Sequence, residues 1–145
     1  MEKSLNFLHR FTVPSEDIDL NGHVNNVAYV SWMQDVAIRH AAESGGTAAT
    51  HAIGCTWVAR EHRIQYLAPC FEGEEIEALT WVENIRRVQS MRKYEFTRLS
   101  DNKLVARGET NWVFVEIKTG HPKAIPESVR ECFLPKTVLD SVVED

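Results

Sequence analysis

One stretch of this chain carries a long helical signature, and the other extended apolar runs alternate. Apolar residues at Tyr29, Met33, Val36, Ala37 and Ala41 recur at helical spacing, with Val30 widening the stripe. Ser31, Asp35 and Arg39 form a narrow polar stripe opposite, so most of the circumference is expected to be buried. Asn25 or Asn26 can cap the start through a side-chain oxygen, and Ser44, Gly45 and Gly46 supply the left-handed residue that ends many helices. These signals predict a helix from about Asn26 to Ser44.

Ahead of it, Leu5 to Val13 mixes Phe7, Leu8, Phe11 and Val13 with polar residues and is closed by Pro14, which suits a strand. After it, Thr47 to Gly54 is rich in small residues and is expected to be a mobile connection. Then come β-branched and aromatic runs at Thr56 to Leu67, Glu75 to Ile85, Gln89 to Leu99 and Leu104 to Ile117. The breaks between them are short enough for hairpins or tight loops, so antiparallel pairing is expected. Pro126 can open a short helix reaching about Phe133. Strand, long helix and four further strands make an α+β layer of one sheet on one helix. A chain of 145 residues is the size of one domain, 1–145. A single helix cannot cover a sheet of long strands, so a second copy is expected on the remaining apolar surface, giving a homodimer or homotetramer.

The balance of 21 acidic and 16 basic residues gives a net charge of -5, which offers no general attraction to a phosphate backbone and argues against nucleic acid. Arg86, Arg87, Arg92, Lys93 and Arg98 lie close in sequence. They could form a local patch for a phosphorylated small molecule or simply solvate strand edges. Cys55, Cys70 and Cys132 form no CxxC pair and no zinc-like spacing with histidine, so they read as reduced thiols. No signal-peptide run and no apolar stretch near ~18 residues is present in the sequence, so a cytoplasmic chain without a membrane partner is expected.

The segment Asp17-Ile18-Asp19-Leu20-Asn21-Gly22-His23-Val24-Asn25-Asn26 packs two carboxylates, an imidazole and three side-chain amides directly ahead of a buried helix. A helix amino terminus presents unpaired N–H groups and partial positive charge, suited to an oxyanion that develops when a carbonyl is attacked. A carboxylate just upstream can aim at the same carbonyl, directly or through water. The plain alternative is that Asp19, Asn21 and Asn25 only stabilise a turn and cap a helix. A calcium loop is a second alternative: Asp17, Asp19, Asn21 and Gly22 match positions one, three, five and six of the EF-hand pattern. Its twelfth position here is Ala28, which has no carboxylate, and a strand precedes it where a helix should. No metal is therefore expected.

With Val27-Ala28-Tyr29 following, this segment resembles the DxDxxxHVNNxxY motif of hotdog-fold thioesterases of the 4-hydroxybenzoyl-CoA thioesterase-like group. The form Asp19-x-Asn21-x-His23-Val24-Asn25-Asn26 is similar to that of acyl-ACP thioesterases. The run Arg63 to Gly73 resembles the family's strand entering a proline-containing turn, and the likeness extends from about Phe7 to Glu116. It implies a hotdog fold, with an antiparallel sheet of about five strands wrapped around the long helix, and a thioesterase needing no cofactor. Its substrate would be an acyl-CoA or acyl carrier protein thioester. The resemblance places the catalytic carboxylate at Asp19, with Asn21 and His23 orienting water or thioester. It places substrate binding at Asn25, Asn26 and Val27, the N–H groups near Asn26 and Val27 forming the oxyanion site. Asp17 becomes a loop-organising residue. Where the acyl-ACP branch has a further acidic residue, alignment on Tyr66 and Cys70 puts Pro69, with Glu61 nearby but unaligned, so CoA and carrier protein both stay open.

Two other readings remain. A hotdog hydratase or dehydratase would place a histidine and an acidic residue on the helix, and His40 is the only histidine in the expected helix, with Asp35 on the polar stripe. A non-catalytic acyl-CoA-binding protein would keep the pocket without turnover, against which Asp19, Asn21 and His23 argue. Among Trp32, Met33, Trp57, Met91 and Phe96, those that face inward would set the depth of an acyl pocket.

Overall fold

The computed structural model describes residues 6–134. Helix α1 spans Asn26–Ser44, as its apolar stripe and flanking residues predict. Asn25 is the cap: its side-chain oxygen accepts from the Ala28 N–H at 2.9 Å. Gly45 ends the helix in the left-handed region at φ +89°.

Strands β1 (Asn6–Thr12), β2 (Cys55–Tyr66), β3 (Glu75–Ile85), β4 (Gln89–Arg98) and β5 (Lys103–Glu116) form one antiparallel sheet in the order β1-β3-β4-β5-β2. Leu5, expected in the first strand, lies outside the described residues. The three central strands run as successive hairpins, while β1 and β2, the strands flanking α1 in sequence, take the two edges. Strict alternation sets the inner face: Ile76, Ala78, Thr80 and Val82 on β3 and Ser90, Arg92, Tyr94 and Phe96 on β4 are all buried.

Helix α1 lies against this face. Tyr29 and Trp32 pack their rings on Phe96, with centroids 6.3 and 5.8 Å away. Met33 sits over Gly108, where a Cβ would come within 3.0 Å of its sulfur and 2.9 Å of the Arg63 carbonyl oxygen. The helix can come this close to the sheet because β5 carries no side chain there.

The buried side chains form two clusters. One surrounds the amino-terminal half of α1 and includes Tyr29, Trp32, Met33, Tyr94 and Phe96. The other gathers Val82, Ile85, Phe114, Ile125, Val129 and Phe133 under helix α3 (Glu127–Phe133), which follows Pro126 as expected. Arg130 fastens α3 by donating to the carbonyls of Ile125, Ile85 and Arg86 at 3.0–3.3 Å.

Two expectations are corrected, and the basic group is divided. Thr47 to Gly54 is mostly a second helix, α2 (Gly46–Ala52), not an irregular connection. It begins at a glycine because the Phe133 ring lies 2.3 Å from where a Cβ would stand. The outer side of α1 is broader than a narrow polar stripe, since Val27 and Ile38 stand 74% and 63% exposed beside Ser31, Asp35 and Arg39. Of the basic residues, adjacent Arg92 and Lys93 part company: Arg92 is buried on the inner face of β4, while Lys93 ion-pairs with Glu109 at 2.6 Å. Alternation along β4 likewise puts Met91 on the face opposite Arg92.

Candidate active site

Between a single 3-10 turn at Ser15–Asp17 and the start of α1, the chain doubles back on itself through an isolated bridge of Ile18 with Val24. The Asp19 N–H donates to the His23 carbonyl at 3.0 Å, and the Gly22 N–H to the Asp19 carbonyl at 3.0 Å. The loop is moored on three sides. The Val24 N–H donates to the Cys70 carbonyl at 2.9 Å. The Asp17 carbonyl accepts from both the backbone N–H and the Nδ2 of Asn25, at 2.9 and 3.1 Å. The Asp17 carboxylate accepts from the Trp32 indole Nε1 at 3.0 Å, so Asp17 ties the loop to the first turns of α1.

The residues between are held differently. One Asp19 oxygen, Oδ1, accepts from the Asn21 N–H at 2.9 Å, a short turn of the kind Asp favours. Among the described residues, Oδ2 has no hydrogen-bond partner, nor has the Asn21 side-chain amide or the His23 imidazole. His23 is half-buried, its ring meeting Phe71 edge-on at 6.1 Å. At the head of α1 the orphan donors can be followed one by one. The Asn25 N–H goes to Asp17 and the Ala28 N–H to the Asn25 side chain. The N–H groups of Asn26 and Val27 have no acceptor among the described residues. The sequence thus brings Asp19, Asn21 and His23 into one turn beside a helix end that retains two donors and its partial positive charge.

The family model of the Thioesterase-like superfamily matches residues 13–133. The chain belongs to this superfamily. Its sheet wrapped on one helix is the hotdog fold, also seen in solved thioesterase structures. A DHNA-CoA thioesterase from Staphylococcus aureus superposes with TM-score 0.83 at 19% identity, covering 96% of this chain and 97% of that one. A 1,4-dihydroxy-2-naphthoyl-CoA thioesterase from Synechocystis does so with TM-score 0.79 at 15% identity, covering 88% and 95%. In sequence, the chloroplastic palmitoyl-acyl carrier protein thioesterase of Gossypium hirsutum is 28% identical over 101 residues. That match takes in 66% of this chain and 22% of the Gossypium protein, so it spans about a fifth of that relative's length.

In a thioesterase-like chain a cysteine beside the motif invites a thiolate nucleophile, and Cys70 is fully buried against it. Burial pushes its thiol above the ordinary value, and it also raises the neighbouring Tyr29 hydroxyl. A thiol held protonated in an apolar setting is a poor nucleophile, so Cys70 serves through its carbonyl. Tyr66, whose hydroxyl donates to the Asn26 carbonyl at 3.2 Å, is a second support from the same segment. The only sequence signal for these supports was the strand-and-turn resemblance over Arg63 to Gly73. The Trp32 anchor had none beyond its apolar character.

The helix pair a hydratase would need is not assembled. Asp35 ion-pairs with Arg39 in solvent at 2.8 Å, whereas His40 is buried and its Nδ1 bonds Arg92. A second helical histidine, His51, lies on α2, outside the expected helix. Among the described residues no helix is long and apolar enough to cross a membrane, and no three His, Cys, Asp or Glu side chains are grouped as a metal set.

Proposed function

We propose that this protein hydrolyses an acyl thioester, of CoA or of an acyl carrier protein, to a free acid and a thiol. The observation that carries this reading is the pair of N–H groups on Asn26 and Val27 without an acceptor among the described residues, at the helix end into which the Asp19 loop leads, with one Asp19 oxygen tied and one free. In the proposed reaction the thioester carbonyl oxygen accepts from those two N–H groups, which stabilise the negative charge it gains on attack. Asp19 takes a proton from water as the water oxygen bonds to the carbonyl carbon, or attacks that carbon itself to give an anhydride that water then opens. Either way the carbon–sulfur bond breaks, the sulfur leaves with the bonding pair and is protonated. Asn21 and His23 orient the water or the thioester, while Asp17, Trp32 and Tyr66 hold the loop in register.

The same reading includes self-association. Val27 and Ile38 on α1 are exposed apolar residues, and edge strand β2 adds Val58 and Tyr66, with Leu67 just beyond its end, each 45% exposed. Sedimentation should give twice or four times the chain mass; a monomer at micromolar concentration would overturn that part.

A panel of short, long and aromatic acyl-CoAs and an acyl carrier protein thioester, followed by free-thiol release, tests the activity. Turnover on at least one class is expected. Tight binding without thiol release across the panel would leave a binding protein.

A further inference from the structure

We propose that the cavity beneath the carboxy-terminal half of α1 is a second binding site, for a carboxylate carried on an apolar, preferably aromatic, body. It has a volume of about 420 Å³, within the range of small-molecule sites, and lies where the two apolar clusters meet. None of Asp19, Asn21, His23, Asn25, Asn26 or Val27 lines it. Its apolar wall is built from Trp57, Trp112, Phe133 and the Ala37, Ile38 and Ala41 side of α1.

Two polar groups on its lining are in an unusual state. Arg92 is 4% exposed, yet among the described residues no carboxylate lies within ion-pair distance of it. Its Nη1 is engaged with His40 Nδ1 at 2.9 Å and Thr80 Oγ1 at 3.1 Å. A guanidinium only donates, so His40 Nδ1 is the acceptor and that ring carries its proton on Nε2. The Nε–H and Nη2–H edge remains, the fork that binds a carboxylate through two parallel bonds. Burial pushes the Arg92 guanidinium down to about 10, which leaves it charged at neutral pH. Its one cation–π contact, with Phe133 at 5.7 Å, does not replace a counter-ion. Thr50 is the second group: its hydroxyl is the one enclosed side-chain polar atom among the described residues without a hydrogen-bond partner, at 1% exposure. A lone buried cation and an orphan hydroxyl on one aromatic-lined cavity are what an amphipathic acid would satisfy together.

The acid could be free or be the far end of an acyl group. Titrating the full chain with 4-phenylbutyrate, followed by tryptophan fluorescence, is expected to show saturable binding, with the uncharged 4-phenylbutyramide at least roughly tenfold weaker. Arg92→Met should abolish that difference and Thr50→Val should weaken the acid severalfold, both with cooperative thermal melts. Asp19→Asn should bind the acid like the parent, which separates this site from the proposed hydrolysis. Comparing KM for a saturated acyl-CoA and its ω-carboxylated analogue then assigns the source. A rise confined to the analogue in Arg92→Met means the acyl group carries the acid, and no change in either means the free acid is the ligand. Failure of 4-phenylbutyrate to bind at millimolar concentration, or equal binding of the amide, would overturn the proposal.

Discussion

The two ends of α1 treat polar groups in opposite ways. At the amino-terminal end Asp19, Asn21 and His23 sit on a loop open to water, where an unpaired side chain costs little and remains available to a substrate. Beneath the carboxy-terminal half, Arg92 and Thr50 lack full partners among the described residues, a condition that costs stability in a buried setting unless something binds. The first end depends on a fixed backbone, supplied by Asp17, Asn25 and Trp32. The second depends on seven separate elements, three helices and four strands, closing around one space. An exposed constellation can therefore be compact in sequence, and a buried one need not be.

The largest expected effect falls on the first end. Asp19→Asn keeps the acceptor for the Asn21 N–H, so the turn and the melting temperature should persist while turnover falls by about 10²- to 10⁴-fold. Activity within tenfold of the parent would remove Asp19 from the chemistry. Next is the point where helix and sheet touch. Gly108→Ala pushes a methyl into the Met33 sulfur and the Arg63 carbonyl, and overpacking of this kind should cost about 1–3 kcal/mol in urea unfolding. An unchanged midpoint would mean that α1 can lift off the sheet. Asn25→Ala removes the cap and one of its two bonds to Asp17, for roughly 1 kcal/mol of stability. Because it also loosens one of the ties between loop and helix, turnover should fall with it, and a variant that lost stability alone would show the loop to be held by Trp32 and Cys70 without the Asn25 side chain.

How much of this was legible beforehand follows the same division. The span of α1, the strands and the polar loop are written in contiguous residues, since helical and strand periodicity and turn chemistry are local. Helix α2 was not legible because its seven residues open on Gly46 and are too few to show an apolar stripe, although Ala48, Ala49 and Ala52 favour a helix; the packing of Gly46 under the Phe133 ring decides it. Arg92 read as one of a basic group because its burial depends on which face of β4 meets α1. That choice is made across the sheet, by its alignment with Val82 and Thr110. Trp32 reads from the sequence as an apolar residue of core or pocket; only the position of Asp17 opposite its indole makes it an anchor.

The smallest effect separates the ends by pH. Cys70 and Tyr29 lie in the cluster under the amino-terminal half of α1, and burial raises both above their ordinary values of 9.0 and 10.0. In the unfolded chain each loses its proton at the ordinary value, while the fold holds on to it. Between the two values the unfolded chain binds fewer protons, so stability falls as pH rises through that window and is fully present below it. The urea midpoint should hold steady from pH 7 to 8 and decline above about 9, where Cys70 ionises first on unfolding. Cys70→Ala lowers the plateau by opening a small void but should delay the decline toward the Tyr29 range. A decline with the same onset in Cys70→Ala would place the alkaline weakness elsewhere than under the proposed active site.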